Sequence, residues 1–178
     1  MEKSVIFVTG SSSKRTEAKR ILGFELQHCD LDLPEIQAVE LEDVIMRKAT
    51  FAYEALKHKP VLVEDTGLFI EAWNGLPGAL IKWFMERVGV AGICKMADAF
   101  PSRKALAKTV IGIYDGQLQV FSGEIEGRIS SVPRGETGFG WDKIFIPNGS
   151  EKTFAEMSPE EKDKYSMRRL AFEALKSK

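Results

Sequence analysis

Two runs of β-forming residues, Lys104–Tyr114 and Leu118–Ile129, flank the dipeptide Asp115-Gly116. An Asp-Gly step is a strong tight-turn signal, so the two runs read as one long antiparallel ribbon. A ribbon of that length commits the chain to a sheet, and the remaining apolar runs must be arranged around it. Val61-Leu-Val63 is a short, continuous run of strand formers, the pattern of a strand covered on both faces. Pro60 suits its first position, where a missing N–H costs nothing. Ser4–Val8 reads as a first strand running into Thr9-Gly-Ser-Ser-Ser-Lys14. A helix bearing Ala18, Ile21 and Leu22 follows, and Gly23 ends it. Glu25–Leu33 reads as a second strand and Leu41–Leu56 as an amphipathic helix. Gly67–Ala72 reads as a hairpin partner, and Ala79–Val88 and Val90–Phe100 as helices. Ser158-Pro-Glu-Glu opens a helical tail.

The chain has 178 residues, enough for one domain with a real core. A formal net charge of −1 argues against broad electrostatic binding to nucleic acid or to a membrane surface. No apolar run is long enough to span a bilayer, and the N-terminus has no signal-peptide pattern. Cys29 and Cys94 are far apart and share no metal spacing, so they read as free thiols. His28 and His58 are isolated, which removes a histidine metal site and a Ser-His-Asp triad. Hydrolysis by this chain would have to rely on carboxylates, lysines and a hard metal.

Three stretches carry such groups. Val63 leads directly into Glu64 and Asp65, then Thr66 and Gly67. Side chains alternate along a strand, so the two carboxylates should point to opposite faces, and one of them could serve as a catalytic group at a strand end. A solvated acidic turn is the plainer reading. Thr9 to Lys14 joins a strand to a helix N-terminus, where free N–H groups, hydroxyls and the Lys14 charge could hold an anion. It is not a Walker A loop, and an N-capping serine cluster would give the same sequence. Lys48 interrupts the apolar face of its helix between Val44, Ile45 and Ala52, so it either snorkels to the surface or points inward at an anion. Gly135-Glu-Thr-Gly-Phe-Gly-Trp-Asp142 could present Phe139 to a flat ring, with Asp142 at the ring's edge, or could plug a core around a turn.

Taken together in order, these segments resemble the inosine triphosphate pyrophosphatases. The resemblance rests on Thr9-Gly-Ser-Ser-Ser-Lys14, Leu33-Pro-Glu35, Val63-Glu-Asp-Thr-Gly67, Gly75-Leu-Pro-Gly78, Ile81-Lys-Trp-Phe84, Phe139-Gly-Trp-Asp142, Ala155-Glu-Met157, Glu161-Lys162 and Ser166-Met-Arg168. It implies a single domain over 1–178, a two-lobed α/β protein with a long mixed central sheet flanked by helices and a deep substrate cleft between the lobes. It also implies a cytoplasmic homodimer that uses Mg²⁺ to convert inosine, deoxyinosine and xanthosine triphosphates to the monophosphate and pyrophosphate.

The resemblance further implies roles for individual residues. Thr9, Gly10, Ser11, Ser12, Ser13 and Lys14 would form the triphosphate loop, with Lys48 facing the phosphates. Glu35 and Asp65 would hold the metal, and Asp65 would act as general base beside Thr66. Lys82 would lie near the substrate. Phe139, Gly140, Trp141, Asp142, Lys162, Ser166, Met167 and Arg168 would hold the ribose and base. The chain departs from the family at Ser11, where asparagine is common, and at Met167, where histidine is usual. Methionine donates no hydrogen bond to a 6-oxo group, so weaker base discrimination is expected, with Arg168 and backbone N–H groups carrying more of it. Two rival readings remain at the level of sequence: a pyrophosphatase for modified pyrimidine or methylated guanine nucleotides, and a nucleotide-binding module without turnover.

Overall fold

A computed structural model describes residues 5–34 and 36–177. The ribbon read from Asp115-Gly116 forms with the expected bounds, Lys104–Tyr114 (β5) and Leu118–Ile129 (β6), and Gly116 takes the left-handed backbone at φ 107°. Before it in the chain come Ile6–Val8 (β1), Ser12–Leu22 (α1), His28–Cys29 (β2), Leu41–Ala55 (α2), Val61–Ile70 (β3), Pro77–Gly78 (β4) and Ile81–Asp98 (α3). After it come Phe145–Pro147 (β7), Pro159–Asp163 (α4) and Met167–Lys176 (α5). The strands form a seven-stranded sheet in the order β2-β1-β3-β5-β6-β7, with β4 paired to β3. Parallel pairing of β1 with β2 and β3, and antiparallel pairing of β3 with β4 and of β6 with β7, make the sheet mixed.

Local signals account for the helix ends. Ser11 accepts the Lys14 N–H at the start of α1, and Gly23 closes it in the left-handed region, donating to the Lys19 carbonyl. Ser158 and Glu161 form a reciprocal capping box around Pro159 at the start of α4. The two helices expected over 79–100 form on either side of a break at Gly89 within Ile81–Asp98, where a φ of 69° and ψ of 166° suit glycine alone.

Two strands differ from expectation. β3 continues through Glu64 to Ile70, so Gly67–Ala72 is not a separate hairpin partner, and the carboxylates lie within a strand rather than at its end. Burial resumes at Leu68 and Ile70, and Gly67 lets the β4 backbone come close: a Cβ there would be 3.0 Å from the Gly78 carbonyl oxygen. β2 spans two residues rather than nearly the whole of Glu25–Leu33, because its partner β1 is itself only three residues long.

Contacts divide the chain into two compact units. One comprises Met1–Thr66, Thr109–Gly123 and Arg168–Lys178, and the other Gly67–Lys108 and Glu124–Met167. In the first, Phe7, Leu62, Ile111 and Phe121 of the sheet are covered by Ala18 and Leu22 of α1 and by Ala171, Phe172 and Leu175 of α5. In the second, Leu68, Ile93, Ile129, Trp141, Phe145, Phe154 and Met167 belong to a separate core. No helix among the described residues is long and apolar enough to cross a membrane.

Candidate active site

The densest group of charges lies in the first unit, around the middle of β3. Lys14, two residues into α1, donates from Nζ to the Glu64 carbonyl at 3.1 Å. The same Nζ stands 3.6 Å from Glu64 Oε1 and 3.7 Å from Asp65 Oδ1. Lys48 does point inward: it is buried, and its Nζ lies 2.9 Å from Asp65 Oδ2. The Thr66 N–H also donates to Asp65 Oδ1 at 2.9 Å. Adjacent strand positions part company as alternation requires, since Glu64 is enclosed and bound to Arg168 while about a fifth of the Asp65 side chain stays exposed. Lys14 nevertheless reaches both carboxylates.

Burial alone would push both acids toward their neutral forms. For Asp65 the charges of Lys14 and Lys48 outweigh it and hold the carboxyl below its ordinary range. For Glu64, Arg168 and Lys14 do the same. Both are therefore anions at neutral pH. Asp65 is a weak base with an open edge, suited to orienting a water or binding a cation.

The loop Thr9 to Lys14 forms the capping cluster that its serines suggest. Thr9 Oγ1 accepts the Ser11 N–H at 3.1 Å and Ser11 Oγ accepts the Lys14 N–H at 3.3 Å, so the loop's own hydroxyls cap the helix. Gly10 and Ser12 are exposed and Ser13 half-buried. Arg168 donates Nε and Nη2 to the two oxygens of Glu64, Nη1 to Glu17 and Nη2 to Thr66 Oγ1. It is 1% exposed, so its side chain serves carboxylates within the first unit rather than an open surface.

The second unit carries the other stretch. Asp142 Oδ2 accepts the Phe139 N–H at 2.9 Å and Lys162 Nζ at 2.8 Å, and both Asp142 and Lys162 are buried. Lys162 Nζ lies 4.9 Å from the Phe139 ring centroid and 5.4 Å from that of Phe154. The two aromatics of the loop divide the roles proposed for them. Trp141 is buried edge-on against Phe145 as a core plug, whereas Phe139 is 37% exposed with the Lys162 ammonium over its ring. Gly138 and Gly140, at φ 77° and 61°, supply the left-handed turns that the loop needs. Lys82 is exposed, with Nζ 5.8 Å from the ring of Trp83. Ser166 is buried, and Met167 is packed into the second unit's core at 3% exposure. Glu35 lies outside the described residues.

Among the described residues no three His, Cys, Asp or Glu side chains are grouped to hold a metal. The donor set still suits a small hard cation. Magnesium is commonly held by one or two carboxylates, with substrate phosphates and water completing its shell. Asp65 offers a partly open carboxylate, while both oxygens of Glu64 are engaged by Arg168. Sequence reasoning set Glu64 aside and assigned Arg168 to the base. The signal that was missed is elementary: a carboxylate on the buried face of an apolar strand requires a cation from elsewhere in the chain.

Residues 5–178 match the Ham1 family. The chain is 46% identical to a dITP/XTP pyrophosphatase of Methanopyrus kandleri over 174 residues, covering 95% of this chain and 92% of the relative. It is 44% identical to an inosine triphosphate pyrophosphatase of Kluyveromyces lactis over 182 residues, covering 97% and 93%. Among solved structures, a HAM1 protein from Coxiella burnetii superposes with a TM-score of 0.85 at 27% identity, covering 97% of this chain and 96% of that one.

Proposed function

Because the chain belongs to the Ham1 family, we propose that it hydrolyses the deaminated purine nucleoside triphosphates ITP, dITP and XTP to the monophosphate and pyrophosphate. The observation that carries the reading is the ionised Asp65 with Lys14 and Lys48 on its two oxygens, at 3.7 and 2.9 Å.

In this reading Lys14, Lys48 and the backbone of Thr9 to Ser13 receive the phosphate tail and neutralise its charge. Asp65, together with Glu35 as the family resemblance suggests, would hold Mg²⁺. Bound there, the cation would supply charge stabilisation for the phosphates and the departing pyrophosphate. Asp65 orients the water that attacks the α-phosphorus. Because its carboxyl is held low, it accepts a proton poorly, and positioning must supply most of its effect. By the family resemblance, Phe139 and Lys162 would hold the purine, the first by stacking and the second as a donor to its 6-oxo group. A 6-amino base would set a donor against that donor.

The proposal includes a homodimer and a cytoplasmic setting, both carried by the family resemblance. Light scattering that reads a monomer would remove the first.

The test is steady-state hydrolysis of ITP, dITP, XTP, ATP and GTP with Mg²⁺, with monophosphate and pyrophosphate both quantified. The expected result is preferential turnover of the first three, with one pyrophosphate per monophosphate. Equal turnover of ATP and GTP, or release of inorganic phosphate, would overturn the proposal. Tight ITP binding without pyrophosphate would mean a binding module instead.

A further inference from the structure

β1 and β2 run parallel with Val8 opposite Cys29, and the Thr9 N–H donates to the Cys29 carbonyl at 3.1 Å. One step further in that register, Asp30 comes against Thr9 and Gly10, the first residues of the loop assigned to the phosphates. The approach is close: a methyl group at residue 10 would stand 2.7 Å from Asp30 Oδ1. Gly10 is not among the residues with left-handed backbone. The close approach at position 10 is therefore to this carboxylate rather than to backbone.

Asp30 differs from the acids gathered around β3 in the first unit. Glu64, Asp65 and Glu17 each face a lysine or arginine. Asp30 is exposed and forms no hydrogen bond or ion pair with a described residue. A bare polyphosphate entering the loop meets this negative charge directly, and like charges at contact distance repel even in a wet site. A polyphosphate that arrives with a divalent cation brings the compensating charge with it.

We propose that Asp30 makes the phosphate loop selective for metal-complexed polyphosphate, by placing an unneutralised carboxylate against Gly10. It is a positioning and selectivity residue, not a catalytic one. The inference rests on the reading of Thr9 to Lys14 as the phosphate loop. It goes beyond that reading by assigning the metal requirement to a residue outside the loop and outside β3.

Calorimetric titration with inorganic tripolyphosphate, in EDTA and in excess Mg²⁺, tests it without turnover. Asp30→Asn is expected to tighten metal-free binding about tenfold, as removal of a like charge at short range should, while changing binding in Mg²⁺ by less than about twofold. Glu54→Gln, an equal change in net charge at an exposed position on α2, is expected to leave the ratio of the two affinities unchanged. An unchanged ratio in Asp30→Asn overturns the proposal, as does a parallel loss in both buffers, which would mark Asp30 as a brace for the loop. Wild-type protein that binds tripolyphosphate in neither buffer removes the phosphate-loop reading and this proposal with it. ITP turnover, measured separately, decides the enzymatic reading independently of the Asp30 ratio.

Discussion

Arg168 grips both oxygens of Glu64 across 104 residues of sequence, with Nε at 3.0 Å and Nη2 at 2.9 Å. Neither side chain is meaningfully exposed. Removing one member of a buried pair strands the other charge, at a cost of about 3–5 kcal/mol. Arg168→Met should lower the unfolding free energy by about that amount in urea titration, and adding Glu64→Leu should recover part of it. A single-variant loss below about 1 kcal/mol would show that solvent or Lys14 compensates Glu64.

Acid should unfold the protein through the same groups. The Glu64 and Asp65 carboxyls are held low despite burial, by Arg168 and Lys14 in one case and by Lys14 and Lys48 in the other. The folded state then binds fewer protons than the unfolded chain. Its extra stability is fully present above the unfolded values, about 3.9 for Asp and 4.3 for Glu, and is lost as pH falls through the lower folded ones. Denaturant titrations between pH 7 and pH 3 should show a flat region down to about pH 5 and a steep decline below about pH 4. Stability that rises on acidification from pH 4 to pH 3 would contradict the placement of these charges.

Asp65→Asn keeps the shape of the side chain and removes its charge. The variant should fold, and pyrophosphate release from ITP should drop at least about a hundredfold, the lower bound for a positioned base. Near-normal release would take Asp65 out of the mechanism.

Gly127 tests a different kind of constraint. Its partner in the β6–β7 pair is Pro147, and a Cβ at 127 would run into the Ile146 carbonyl and the Phe145 ring. Gly127 has ordinary backbone, so the demand is for space alone. Gly127→Ala should cost about 1–3 kcal/mol, in the range of overpacked cores, as read from the thermal midpoint.

What could be read in advance from the amino acids was local. The Asp115-Gly116 ribbon, the Ser11 and Ser158 caps, the Gly23 stop and the inward Lys48 all follow from a few neighbouring residues, and all appear in the structure. What escaped depended on distant partners. The extent of β3 past Gly67 is set by the approach of Gly78, and the brevity of β2 by that of β1. The pairing of Arg168 with Glu64 and Glu17 could not be read from its motif, because only the fold brings the three together. Trp141 and Phe139 could not be told apart by composition, since burial separates them and spacing does not.

The first unit is assembled from three separated stretches, and its last piece, which carries all of α5 but Met167, begins at Arg168. A chain made N-terminus first therefore carries Glu64 with no counter-charge from Arg168 until 104 further residues have been added. Completion of that unit has to wait for the Arg168 stretch, and a nascent chain halted before it would set Lys14 alone against its central acid.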